Sequence, residues 1–169
     1  MRKTSLLVLT GAATTIAAPA MADTIDLTVT LPRPSVAEYH RPYVAIWLEG
    51  ATGQPFKTLA VWYDSDNREG HGTKWLSDMR TWWRKGGRSA QIDGISGATR
   101  APGPQKLTIP AAALRGLPGG QYKLTVEAAR ESGGRESVTV PVTLGGKRPA
   151  TTSAKGATEL GTVTASVKP

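Results

Sequence analysis

The chain holds 169 residues, with 21 Lys and Arg against 13 Asp and Glu for a formal net charge of +8, and it has no cysteine. The missing thiols rule out a disulfide framework, thiol redox chemistry, thiolate-bound iron–sulfur clusters and Cys-linked haem. The basic balance favours anionic partners: phosphates, an acidic protein or an anionic membrane surface.

Residues 1–22 have the character of a secretory signal peptide. Arg2 and Lys3 supply a positive start, Leu6 to Ala18 is an apolar stretch diluted by Thr and Gly, and Ala20-Met21-Ala22 is a small-x-small cleavage site. Cleavage after Ala22 is expected, leaving 23–169 as a single domain large enough for one hydrophobic core. The apolar stretch is too short to span a membrane, and no second long one follows. The expected product is therefore periplasmic, without a transmembrane segment. Export, rather than charge, argues against a nucleic-acid partner.

The next elements are β. Thr24 to Leu31 alternates polar and apolar residues, the period of a half-buried strand, and Pro32 and Pro34 end it. Tyr43 to Glu49 is a nearly continuous apolar run that suits a central strand. Gly50 to Pro55 makes a turn, and Phe56 to Tyr63 returns as the second arm of a hairpin. The period then changes. Trp75, Leu76, Met79, Trp82 and Trp83 fall on one face of a helix, with Thr73 as its N-cap and Gly86-Gly87 as its end. Trp75 and Met79 are expected to dock that helix on the sheet, and Trp47 and Trp62 to lie in the core. Trp82 and Trp83 have two readings, core packing or a stacking surface for an aromatic ligand.

Asp93-Gly94-Ile95-Ser96-Gly97-Ala98-Thr99 follows the helix. This D-x-x-S-G-A-T string resembles the acceptor motif used by FMN transferases of the ApbE family, in which the last hydroxyl residue carries FMN through a phosphoester. Carried over, the cofactor is FMN, covalently attached at Thr99. A hydroxyl is a poor nucleophile at its ordinary pKa, so the transferase must supply the base and the Mg²⁺. The small residues Gly94, Gly97 and Ala98 keep the loop narrow enough to enter another enzyme, and Asp93 is assigned to transferase recognition. Asp93, Ser96, Gly97, Ala98, Thr99 and Arg100, with Trp82 and Trp83, are the candidate cofactor-binding residues. Arg100 is the nearest cation to a new phosphodiester, with Arg88 and Lys106 as helpers.

Beyond the motif, Lys106 to Ile109 is a short strand and Leu114 to Gly120 a turn-rich connection. Gln121 to Ala129 and Ser137 to Leu144 alternate strictly around Glu131 to Gly134, the clearest hairpin in the chain. Gly145 to Thr158 reads as a polar linker, and Glu159 to Val167 as a last strand. The fold class is mainly β: an immunoglobulin-like antiparallel β-sandwich with one inserted helix, the helix and the flavin-type motif sharing an insertion at 64–104.

The wider chain resembles a family of predicted periplasmic proteins of unknown function. The carrying residues are the signal peptide, Arg41 to Glu49, Leu59 to Tyr63, Trp82 to Lys85, and Asp93 to Gly103. That resemblance implies association with FMN transferases and with PepSY-type membrane proteins, hence extracytoplasmic electron transfer by a redox carrier rather than a stand-alone enzyme. His40 and His71 have no clustered spacing for a metal, no Ser has the company needed for hydrolysis, and no catalytic residue is assigned. The alternative reading is a non-redox periplasmic binding or scaffold module of a membrane-associated complex.

Overall fold

The computed structural model describes residues 23–66 and 70–169. The expected signal peptide, 1–22, lies outside them. Among the described residues, nine strands form two sheets facing each other. They are β1 (Thr24–Leu31), β2 (Tyr43–Gly50), β3 (Phe56–Tyr63), β4 (Ser96–Ala98), β5 (Gly103–Ile109), β6 (Gly120–Ala129), β7 (Arg135–Leu144), β8 (Ala150–Lys155) and β9 (Thr162–Lys168). One sheet has the order β5-β1-β9-β8, the other β4-β3-β2-β6-β7. The fold is the expected mainly-β sandwich, with one departure from all-antiparallel pairing: β4 runs parallel to β3.

Period-two patterning makes the main core. Ile25, Leu27, Val29 and Leu31 of β1 are buried and face Val44, Ile46 and Leu48 of β2, Leu124 and Val126 of β6, and Val138, Val140 and Val142 of β7. The apolar run of β2 is continuous because both of its faces are covered. Its alternate residues Ala45 and Trp47 belong to a second core, with Val61, Leu76, Met79 and Trp82, on the outer face of the five-stranded sheet. The insertion between β3 and β5 is thus a third layer.

The single expected helix is two pieces. Residues His71–Asp78 form a 3-10 helix and Arg80–Lys85 an α-helix, α1, with Met79 between them at ψ 70°. A 3-10 helix repeats every 3 residues, so Leu76 and Met79, three apart, are buried with Trp82 three further on. Trp75 is displaced from that line and 58% exposed, which corrects its assignment to the core. Thr73 is not the N-cap: Gly70 occupies that place, and the Thr73 hydroxyl donates back to the Gly70 carbonyl at 3.1 Å.

Besides β4 and a 3-10 turn at Gly87–Ser89, two further elements were not expected. The polar stretch assigned to a linker contains β8, an edge strand whose Thr151, Thr152 and Ser153 carry no apolar alternation. A one-turn helix, α2 (Ala111–Leu114), links β5 to β6. The last strand begins at Thr162, and Glu159 and Leu160 precede it as buried connector residues.

Candidate functional site

The motif is positioned by the way the insertion is bolted to the sheet. The first N–H groups of a helix have no partner within it. Here the backbone N–H groups of Thr81 and Trp82 donate to the two carboxylate oxygens of Glu127, at 3.0 and 2.7 Å. Glu127 is fully buried on β6 and also accepts from Arg135 at 2.9 Å. The Trp82 indole N–H donates to Thr58 on β3 at 3.0 Å, and Lys85 pairs with the buried Glu49 of β2 at 2.7 Å.

From that anchor the chain passes Ala90 and Ile92, which pack on the second core, and turns at Asp93-Gly94. The Ile95 N–H closes the turn on the Ile92 carbonyl at 3.1 Å. Gly94 sits at φ +77°, which explains glycine at that position. The chain then lies along β3: the Val61 N–H donates to the Ile95 carbonyl at 3.0 Å, and the Thr99 N–H to the Tyr63 carbonyl at 3.1 Å. The motif is therefore a turn followed by the short edge strand Ser96–Ala98 rather than an open loop. Asp93, Ser96 and Ala98 are exposed, and Gly97 and Thr99 are half-buried.

Thr99 lines a cleft of about 550 Å³ together with Tyr43, Gly72, Trp75, Arg41 and Arg130. Its walls are braced. The Tyr43 and Tyr63 rings meet edge to face at 6.2 Å. Burial raises the pKa of the Tyr43 hydroxyl, partly offset by a hydrogen bond from the Asp64 backbone. Gly72 lies so close beneath the Asp64 carbonyl that a Cβ there would stand 2.0 Å from its oxygen. Arg130 makes a bidentate pair with Glu159, at 2.9 and 3.0 Å, and that hydrogen bonding raises its pKa. Arg41 is exposed. Among the described residues no group of three or more His, Cys, Asp or Glu side chains is placed to hold a metal.

The remaining candidates lie elsewhere. Trp82 is fully buried, so of its two readings the structure takes core packing. Trp83 is partly buried on the second core, with the Arg88 guanidinium 6.0 Å from its ring centroid. Neither lines the Thr99 cleft. Arg100 does not line it either; its guanidinium lies over the Trp62 ring at 5.2 Å. Successive side chains of an extended segment point to opposite sides, so adjacency in the chain does not bring Arg100 and Thr99 to one surface. Arg41 and Tyr43 reach the site from the start of β2, Trp75 from the 3-10 helix and Arg130 from the end of β6. No linear spacing announces them.

The chain is thus a β-sandwich protein whose long insertion presents a short parallel edge strand beside a cleft. It belongs to the DUF2271 family, described as predicted periplasmic proteins, whose family model matches residues 24–162. No curated protein and no solved structure matches it. Among the described residues no helix is long and apolar enough to cross a membrane.

Proposed function

We propose that this protein is a periplasmic electron carrier bearing FMN on the Thr99 hydroxyl, exchanging electrons with a membrane redox partner such as a PepSY-type protein. One observation carries the reading: the acceptor-type string Asp93 to Thr99 lies on a solvent-facing sheet edge and ends at a cleft of ligand size. Three residue features suit modification by a transferase of the ApbE family. Ser96 and Ala98 are exposed, Gly97 has no neighbour within 4 Å of where its Cβ would be, and Asp93 is open at the turn.

In the modification, a bond forms between the Thr99 oxygen and the flavin-side phosphorus of FAD. The pyrophosphate bond breaks, AMP leaves, and the hydroxyl proton passes to the transferase base. Bound FMN supplies the electron chemistry, while this chain holds and surrounds it. Processing after Ala22 fits the same picture. It leaves Asp23 as the first residue, with its carboxylate accepting a hydrogen bond from the Gly145 N–H.

The test is the intact mass of the exported protein made with an active FMN transferase. A gain of about 438 Da, the mass of FMN less water, is expected on the peptide containing Thr99 and should vanish in Thr99→Ala with the fold intact. An unmodified wild type refutes the carrier reading and leaves a non-redox binding or scaffold module.

A further inference from the structure

We infer that the cleft beside Thr99 is the docking site of the isoalloxazine ring carried on that residue, with Trp75 as its stacking surface. The inference rests on the attachment reading above and answers a separate question: whether the ring swings free or lies on the protein.

Trp75 is the starting point. Indoles contribute most when buried, yet this one is 58% exposed, and it is the only exposed aromatic among the large apolar side chains that stand out from the surface of the described residues. It makes no contribution to the second core, because the 3-10 turn that buries Leu76 and Met79 rotates it outward. It lines the same cleft as Thr99. A ring tethered at Thr99 therefore begins its path inside the cleft that holds the exposed indole.

The cleft has the character of a ligand site. Its volume of about 550 Å³ falls within the range of roughly 300–1,000 Å³ usual for small-molecule pockets. Its lining mixes the rings of Trp75 and Tyr43 with charged groups of both signs, Arg41 and Arg130 against Asp64, Asp78 and Glu131, and Arg41 is the guanidinium open to a phosphodiester because Arg130 is paired with Glu159. Its walls are preformed: Gly72 sits under Asp64, Tyr43 rests against Tyr63, and Arg130 is locked by Glu159. A ligand entering such a site orders little.

The competing aromatic pair is poorly placed. The Trp82 indole is bonded to Thr58, whereas the Thr99 N–H is bonded to Tyr63. Five residues of strand separate the two points, roughly 16 Å at about 3.3 Å per residue.

The experiment compares flavinylated wild type, Trp75→Ala and Trp83→Phe, each first shown by intact mass to carry one FMN. Flavin emission and visible circular dichroism are recorded for the folded proteins and for the Thr99 peptide released by proteolysis. Stacking on an indole quenches flavin emission and gives the ring an induced dichroic signal. Wild type should be several-fold dimmer than its released peptide. Trp75→Ala should regain that brightness and lose the dichroism at unchanged melting temperature, and Trp83→Phe should behave as wild type. Wild-type emission equal to that of the peptide overturns docking, as does a Trp75→Ala protein that remains quenched. Brightening in Trp83→Phe alone places the ring at the other end of the insertion and also overturns it. A wild type that never gains the FMN mass overturns the attachment itself, and docking with it.

Discussion

Single residues here are decided by what satisfies their charge. Glu136 is the clearest case. Burial alone would raise its pKa, but hydrogen bonds from the backbone N–H groups of Ala157, Thr158 and Leu160, together with the Thr158 hydroxyl, outweigh that and lower it. A carboxyl group with a depressed folded pKa stabilises the fold above its unfolded pKa, and that contribution is lost as pH falls through the folded value. Glu136→Gln should therefore cost about 1–2 kcal/mol at pH 7. The gap from wild type should close as pH drops below about 4.3, as read by urea unfolding across that range. The motif residues divide in the same local way. Thr99 is tied to Tyr63 through its backbone, while the Arg100 side chain lies on Trp62, so the guanidinium groups that share the Thr99 cleft are those of Arg41 and Arg130 instead.

At the scale of elements, the insertion is held by periodicity and by buried charge. The sequence shows one apolar stripe from Trp75 to Trp83, and the stripe is real for Leu76, Met79 and Trp82. It fails at Trp75 because that segment winds as a 3-10 helix, with about 3 rather than 3.6 residues per turn. The two tryptophans should consequently behave in opposite ways. Trp82→Ala empties a fully buried site and removes the indole hydrogen bond to Thr58, so a loss of about 3–5 kcal/mol is expected. Trp75→Ala should change stability by no more than about 0.5 kcal/mol, both by denaturant titration. Strand β8 shows the complementary limit: an edge strand needs no apolar alternation to pair, so Thr151, Thr152 and Ser153 leave no mark of it in the sequence.

For the whole molecule, the decisive feature is the order of the four-stranded sheet. The final strand, β9, lies between β1 and β8, pairing Thr24 to Val29 on one side and Ala150 to Lys155 on the other. The first and last strands of the domain thus close one sheet, and Val163, Ala165 and Val167 complete the main core. A chain ending at residue 149 would lose both β8 and β9, opening one edge of β1 and removing Val163, Ala165 and Val167 from the main core. It should show no cooperative thermal transition by circular dichroism, whereas the chain through residue 169 should show one. The five-stranded sheet is likewise finished on its outer face only by the insertion. The segment bearing the acceptor-type motif therefore also seals a second core.

Alternation in β1, β6 and β7, the double-sided apolar run of β2 and the Asp93-to-Thr99 string were all legible from the chain alone, because period and short motifs are local properties. The mainly-β class followed from them. The parallel pairing of β4 with β3, the exposure of Trp75 and the meeting of Thr99 with Tyr43, Trp75, Arg41 and Arg130 were not. Those residues lie far apart in the sequence: the pairing of β2 with β6 sets Arg41 and Tyr43 beside Arg130, the pairing of β4 with β3 brings Thr99, and the stacking of the insertion on the sheet, fixed by Glu127 and Glu49, adds Trp75. Local sequence sets which faces must be covered; which side chains then share a surface depends on how the layers pack.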